Sequence, residues 1–461
     1  MINSLFETFE SIDWFIFFII LIFTITMVFI SEFRNKKENS IIDLLLMGRK
    51  LTLFPFIATL VATWYGGIFG TAQIAFQNGI YNFLTQGVFW YLTYFIFAKY
   101  LLPKVKKYQS ITLPELVGDL IGPKSQKISA IFNILNLIPI AYAISLGLLI
   151  QMLIHINFAF AVFIGVTIVS LYSASGGLRS VVVSDCIQFL VMFSSVVILF
   201  FYCFLSFGTK PLFSLPEHYF HPLSTFSLTE VLVWGFIALS TLVDPNFYQR
   251  SFAALDEKTA RHGIYFSIII WIIFDLSLTF GAMYAKALLP LATDKYGYFE
   301  FALKILPPGM KGFFLSGVIA TIMSTLDSYL FLSSSTIVYD LMPKYRNTKF
   351  AYILSFIVIA AFSVVLALSF DGNIKAVWKA MGSISSAALL FPLLLNLFIK
   401  NKMSDNLFLI TTITSALAVV IWRLSGLKDA FQLDELYPGI LVSGVFCSYH
   451  LFKAYLKTQQ K

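Results

Sequence analysis

Charge is scarce in this sequence. Asp, Glu, Lys and Arg make up 12% of the 461 residues, against about 25% in an ordinary soluble domain. Cysteine is nearly absent. Cys186, Cys203 and Cys447 stand far apart, each in or beside an apolar run, which excludes a disulfide framework and a thiolate metal site. The five histidines lie at block ends or in loops with no relay spacing. No Walker-type Gly-x-x-x-x-Gly-Lys-Ser/Thr run occurs, so the chain is not expected to power itself with ATP. No nucleophile–base pair is visible, and an enzyme is not expected. The formal charge of +8 is scattered over short loops rather than gathered in a patch, which argues against nucleic acid as a partner.

What is abundant is apolar surface, 58% of all residues, and it comes in long blocks. We read thirteen: 13–31, 51–75, 80–103, 128–155, 157–173, 177–206, 229–247, 263–289, 312–338, 351–370, 376–398, 406–424 and 437–452. Blocks of about 18 or more apolar residues mark membrane helices, so an all-α polytopic membrane protein with about 13 spans is expected. The first block is too long for a signal-peptide core and has no small-residue cleavage site after it, so it is read as retained. Basic residues set the orientation. With the N-terminus outside and the C-terminus in the cytoplasm, 22 of the 32 Lys and Arg fall in inside segments and 9 in outside ones. Segment 207–228, with Pro211, Pro216 and Pro222 among aromatics, reads as a packed extracellular lid.

Four features do not belong on a lipid-facing helix. Block 51–75 carries Gly66, Gly67 and Gly70 beside Thr63, Trp64 and Tyr65. Unwound backbone at that depth must line a cavity or be buried in protein; close helix packing through small residues is the plainer reading. In block 312–338, Thr321, Ser324, Thr325 and Ser328 share one helical face, and Asp327 lies about 60° from Ser324. Hydroxyls beside a carboxylate are hard oxygen ligands suited to an alkali cation. Back-bonding to the helix explains the hydroxyls but not the acid, and an intramembrane acid is a functional-site hypothesis. Segment 175–188 opens with Gly176-Gly177 and carries Asp185 and Gln188 on one face; a helix N-terminal acid is the alternative. Asp244-Pro245-Asn246 ends block 229–247, where proline breaks the helix or simply stops it, with Arg250 as a loop anchor. Asp275 is a lone acid in block 263–289.

Stretch 175–188 resembles the signature of the sodium:solute symporter family, a Gly-Gly followed by a helix with Asp and Gln at this spacing. Stretch 317–340 resembles that family's sodium-site helix. Stretch 48–79, the Gln249-Arg250 pair and the Lys-Tyr-x-Leu-Pro run at 99–103 fit in order and spacing. The resemblance spans nearly the whole chain. It implies a LeuT-like fold with two inverted five-helix repeats, 51–206 and 229–398, an extra N-terminal helix at 13–31 and extra C-terminal helices at 406–452. The first and sixth core helices would be broken, here 51–75 and 229–247.

The resemblance also implies a main sodium site of the Leu60, Thr63 and Thr321 carbonyls with the Ser324 and Thr325 hydroxyls. A second sodium site or exit path would use Asp185, Ser324, Asp327 and Ser328; a carboxylate at 327 departs from the more usual serine. Substrate contacts carried over fall on Trp64, Tyr65, Gly67, Gln86, Trp90 and Asp244. They do not reproduce the sugar-binding set, and Ala62 stands where proline carriers have an aspartate. The expected activity is sodium-coupled import of a small organic solute across the cytoplasmic (inner) membrane by alternating access. One or two sodium ions would serve as coupling ion, with no organic cofactor, in a monomer. Two alternatives stay open: a proton-coupled carrier using Asp327, Asp275 or Asp185, and a non-transporting sensor on the same fold.

Overall fold

A computed structural model describes residues 9–34, 40–173, 177–431 and 433–459. Ser175 and Gly176 of the signature stretch, and Lys36, Lys37 and Lys461 of the charge pattern, lie outside the described residues. The described chain is helical throughout, its lone β-bridge joining Leu51 to Ala254. Among the described residues, ten helical runs are long and apolar enough to cross a membrane, and two shorter apolar helices accompany them.

In chain order the helices that build the bundle, shorter connecting helices aside, are α1 (Ser11–Arg34), α2 (Leu53–Ala62), α3 (Ile68–Asn78) and α4, a continuous run over 83–105. Next come α5 (Pro123–Leu137), α6 (Ile140–Ile154), α7 (Phe158–Ser173) and α8 (Leu178–Phe207). Then follow α9 (Leu228–Leu239), α10 (Pro245–Ala253), α11 (Glu257–Leu288) and α12 (Met310–Thr336). The last are α13 (Lys349–Ser369), α14 (Ile374–Phe398), α15 (Asp405–Leu424) and α16 (Leu436–Gln459). The apolar stretch 128–155 lies in one run, Pro123–Ile154, long enough to cross a membrane; it bends between α5 and α6, where Pro139 holds Ile138 extended (φ −61°, ψ 119°) and away from the helical region.

Helix starts follow from capping chemistry. Ser227 and Glu230 form a reciprocal capping box at α9, satisfying donors that the first turn leaves open. At α1, Asp13 is fully buried and accepts from the N–H groups of Gly309 (2.7 Å) and Gly312 (3.0 Å), so α1 is pinned to the start of α12. The helices sort by depth. Most of α16 is exposed or half-buried, whereas α12 is buried along nearly its whole length, so α12 is the central post. It packs along α8, and α1 covers both. The outer helices turn large apolar side chains outward, among them Phe15, Ile22, Phe160, Leu171, Phe350 and Leu441, a surface that water would not support at this scale and that lipid would.

At one end, the 207–228 segment folds onto α3. The Ile80 N–H donates to the Tyr219 carbonyl (2.8 Å), the Tyr219 hydroxyl donates to the Phe76 carbonyl (3.1 Å), and Phe226 packs on Tyr81. Gly79 ends α3 at φ +58°, and a Cβ there would stand 2.2 Å from the Tyr219 carbonyl oxygen. At the other end, Leu51 exchanges backbone bonds with Ala253 (3.1 Å) and Leu255 (3.0 Å), tying the start of α2 to the end of α10.

Candidate functional site

Two interrupted helices meet at the middle of the bundle. The α2–α3 break runs from Thr63 to Gly67. Its glycines let other helices touch the backbone. A Cβ on Gly66 would sit 2.5 Å from Thr325 and 2.7 Å from Tyr142; one on Gly67 would sit 2.1 Å from Trp378. Both readings of the glycines therefore hold at once: the helix unwinds and its neighbours close on it. The α9–α10 break is a 3₁₀ turn over Ser240–Val243, then Asp244 in extended conformation, then Pro245 at the first helical position, where its missing N–H costs nothing. The Asp244 carboxylate caps α10 by accepting from the Asn246 N–H (2.7 Å).

Thr321, Ser324 and Thr325 of α12 face the end of α2. The Ser324 and Thr325 hydroxyls donate to the Ala62 carbonyl at 2.8 and 3.3 Å, and each also reaches the Thr321 carbonyl, at 3.1 and 3.2 Å. Of the expected α2 carbonyls, that of Leu60 lies 3.5 Å from the Thr63 hydroxyl. Thr63 is the cap residue that ends the helix. The carbonyl that the α12 hydroxyls touch belongs to Ala62, between the two. Carbonyls in the last turn lack intrahelical donors, so α2 offers this face a cluster of open oxygens.

One turn back along α2, at Thr59, lies a charged cluster that the sequence reading only half found. Asp185 of α8 and Arg250 of α10 are fully buried, 3.6 Å apart. The Thr59 hydroxyl donates to Asp185. Arg250 donates to Thr59 (3.1 Å), to Ser328 (3.0 Å) and to the Asn246 side-chain oxygen. Asp185 and Ser328 are thus brought together as expected for a second cation site, but around a guanidinium. Ser324 sits above on Ala62, and Asp327 is buried beside Ser328 in sequence. Arg250 and Thr59 were missed as members of this cluster. The available signal was a basic residue six positions after a helix-breaking Asp-Pro, too near the apolar block to be a free loop anchor.

Between the two breaks lies a cavity of about 130 Å³, several times what one water needs. Trp64, Tyr65, Gln86, Trp90 and Asp244 line it. Gly67 does not; it lies under Trp378, which does. Asn136, Tyr142, Trp234, Ser240 and Tyr329 join the lining from α5, α6, α9, the 3₁₀ turn and α12 and were not anticipated. Asp275 sits behind the wall, accepting from the Tyr91 hydroxyl. Among the described residues, no group of three His, Cys, Asp or Glu side chains is arranged to hold a metal.

The family model of the sodium:solute symporters covers residues 44–408. The osmoregulated proline transporter of Bacillus subtilis is 27% identical over 92% of this chain and 91% of its own. The sodium/pantothenate symporter of Escherichia coli is 26% identical over 50% of this chain and 51% of its own. The solved structure of a Na+-coupled sialic acid symporter, in a substrate-bound outward-open state, superposes with a TM-score of 0.78 at 18% identity, over 97% of this chain and 98% of that one. The fold is therefore LeuT-like. With four-fifths of its length matched by the family model, the chain belongs to the sodium:solute symporter family, as a sodium-coupled secondary transporter of a small organic solute.

Proposed function

We propose that this protein imports its solute by alternating access, with sodium held between the end of α2 and the middle of α12. The ligands are the terminal α2 carbonyls from Leu60 to Thr63, the Thr321 carbonyl and the Ser324 and Thr325 hydroxyls. One observation carries this reading: both hydroxyls of α12 converge on the Ala62 carbonyl across the helix interface. An oxygen cluster shared by two helices is tightened by a cation, which replaces hydroxyl–carbonyl contacts with ion–oxygen contacts and so fixes the helices against each other. The solute sits in the adjoining cavity against Trp64, Tyr65, Gln86, Trp90 and Asp244, with Gly67 admitting Trp378 to its roof. Sodium leaves inward past Asp185, Asp327 and Ser328, where Arg250 is the resident cation that a passing ion must compete with.

The architecture that goes with this is thirteen crossings with the N-terminus outside and the C-terminus in the cytoplasm. Two inverted five-helix repeats, 51–206 and 229–398, are flanked by 13–31 and 406–452, in a monomer of the inner membrane. The thirteen apolar blocks and the distribution of basic residues support it. Relatives matched over nine-tenths of the chain are named as proline carriers, which favours a solute of amino-acid size, as does the cavity. The test needs no known substrate. Equilibrium binding of ²²Na+ to purified protein is expected to weaken about 5- to 150-fold in Ser324→Ala and in Thr325→Ala, the range for one lost polar contact of about 1–3 kcal/mol. Unchanged binding in both would remove the site assignment.

A further inference from the structure

The cavity's electrostatics narrow the solute further, given the reading of this cavity as the transport site. Among the described residues that line it, Asp244 alone is charged, and none is a lysine, arginine or histidine. The residue is buried, 7% exposed. One carboxylate oxygen caps α10 through the Asn246 N–H. Among the described ion pairs none includes Asp244. The nearby guanidinium of Arg250 is committed to Asp185, Thr59, Ser328 and Asn246. Capping does not account for the charge, since asparagine or serine caps a helix as well. A buried charge calls for a partner, and the chain supplies none inside the cavity.

The walls point the same way. Trp64, Trp90, Tyr142, Trp234, Tyr329 and Trp378 surround the space from the α2–α3 break, α4, α6, α9, α12 and α14. Aromatic faces carry negative potential and attract substituted ammonium groups, the more strongly where water is excluded. An anionic solute would meet a carboxylate and π-faces with no cation among the described lining residues; Lys379 lies over the Trp234 ring, 5.7 Å from its centroid, outside the lining. A neutral solute would leave the Asp244 charge answered only by the N-terminus of α10 and by an Arg250 shared with other partners. We propose that the transported solute carries a charged nitrogen, an ammonium compound whose cationic end pairs with Asp244 inside this aromatic box.

The test sets each ammonium compound against the carbon isostere that lacks the charge. Purified full-length protein is melted in sodium and in potassium at equal ionic strength. The pairs are choline and 3,3-dimethyl-1-butanol, ethanolamine and 1-propanol, glycine betaine and 3,3-dimethylbutanoate, and L-proline and cyclopentanecarboxylate. At least one ammonium member should raise the melting temperature in sodium, with its isostere at least about tenfold weaker. Asp244→Asn, which still caps α10, should weaken that ammonium ligand by about tenfold or more, the scale of a lost charge-assisted contact. Equal binding of an isostere, unchanged binding in Asp244→Asn, or no stabilisation by any of the four ammonium compounds overturns the proposal. Its failure is separable from that of the transport reading. A sodium-dependent ligand without a charged nitrogen refutes the ammonium class alone. Melting that is indifferent to sodium, with and without solutes, refutes the transport reading.

Discussion

Arg250 shows what residue-scale reasoning recovers and what it loses. Asp185 and Asp327 were legible because an acid inside an apolar run has no innocuous place to go. Arg250 was not, because a basic residue just past an apolar block has a ready explanation as an anchor at the membrane surface. Only the packing reveals that α10 carries it back into the bundle, where its guanidinium holds Asp185, Thr59, Asn246 and Ser328 together. Removing one member of a buried pair leaves the other charged and unsolvated, at a cost of about 3–5 kcal/mol. Arg250→Ala is therefore expected to lower the melting temperature sharply, and the double substitution Asp185→Asn with Arg250→Gln to recover much of the loss. A double variant as unstable as Arg250→Ala would mean that Arg250 is held by packing rather than by its partners.

Elements were more legible where composition changes than where geometry alone does. Three glycines in five residues announced the α2–α3 interruption, and Asp244-Pro245 announced the α9–α10 interruption. The π-turns within α4, over Phe83–Val88 and Phe97–Leu101, left no such mark, since a π-turn adds a residue to a turn without needing any particular one. Pro139 did leave a mark and was passed over inside a long apolar block. The interruption at Gly67 matters through contact as well as through freedom. A methyl at Gly67 would overlap the Trp378 ring at 2.1 Å, pushing α14 off the unwound segment and opening the cavity roof. Gly67→Ala should fold, reach the membrane and lose solute-induced stabilisation, whereas Gly444→Ala on α16, which meets nothing within 4 Å, should behave as wild type. Full solute binding in Gly67→Ala would show that Trp378 yields and that the close approach is dispensable.

At the scale of the whole molecule, fold class was readable because bilayer thickness dictates the length of apolar runs. The cavity wall was not, because it gathers single residues from at least seven segments, and Asn136, Tyr142 and Tyr329 look like ordinary interior positions in their own helices. Orientation rests on the basic residues and has its own check. With Cys186, Cys203 and Cys447 replaced by serine, Lys210→Cys should react with a membrane-impermeant maleimide on intact cells, and Lys258→Cys only after permeabilisation; the reverse pattern would invert the topology. The central claim is that sodium and solute stabilise one conformation, and such coupling must be reciprocal. It is tested most directly by melting the detergent-purified protein across a small-molecule library in sodium and in potassium at matched ionic strength. The account predicts at least one solute that stabilises in sodium and has little effect in potassium. A solute that stabilises equally in both salts would contradict it.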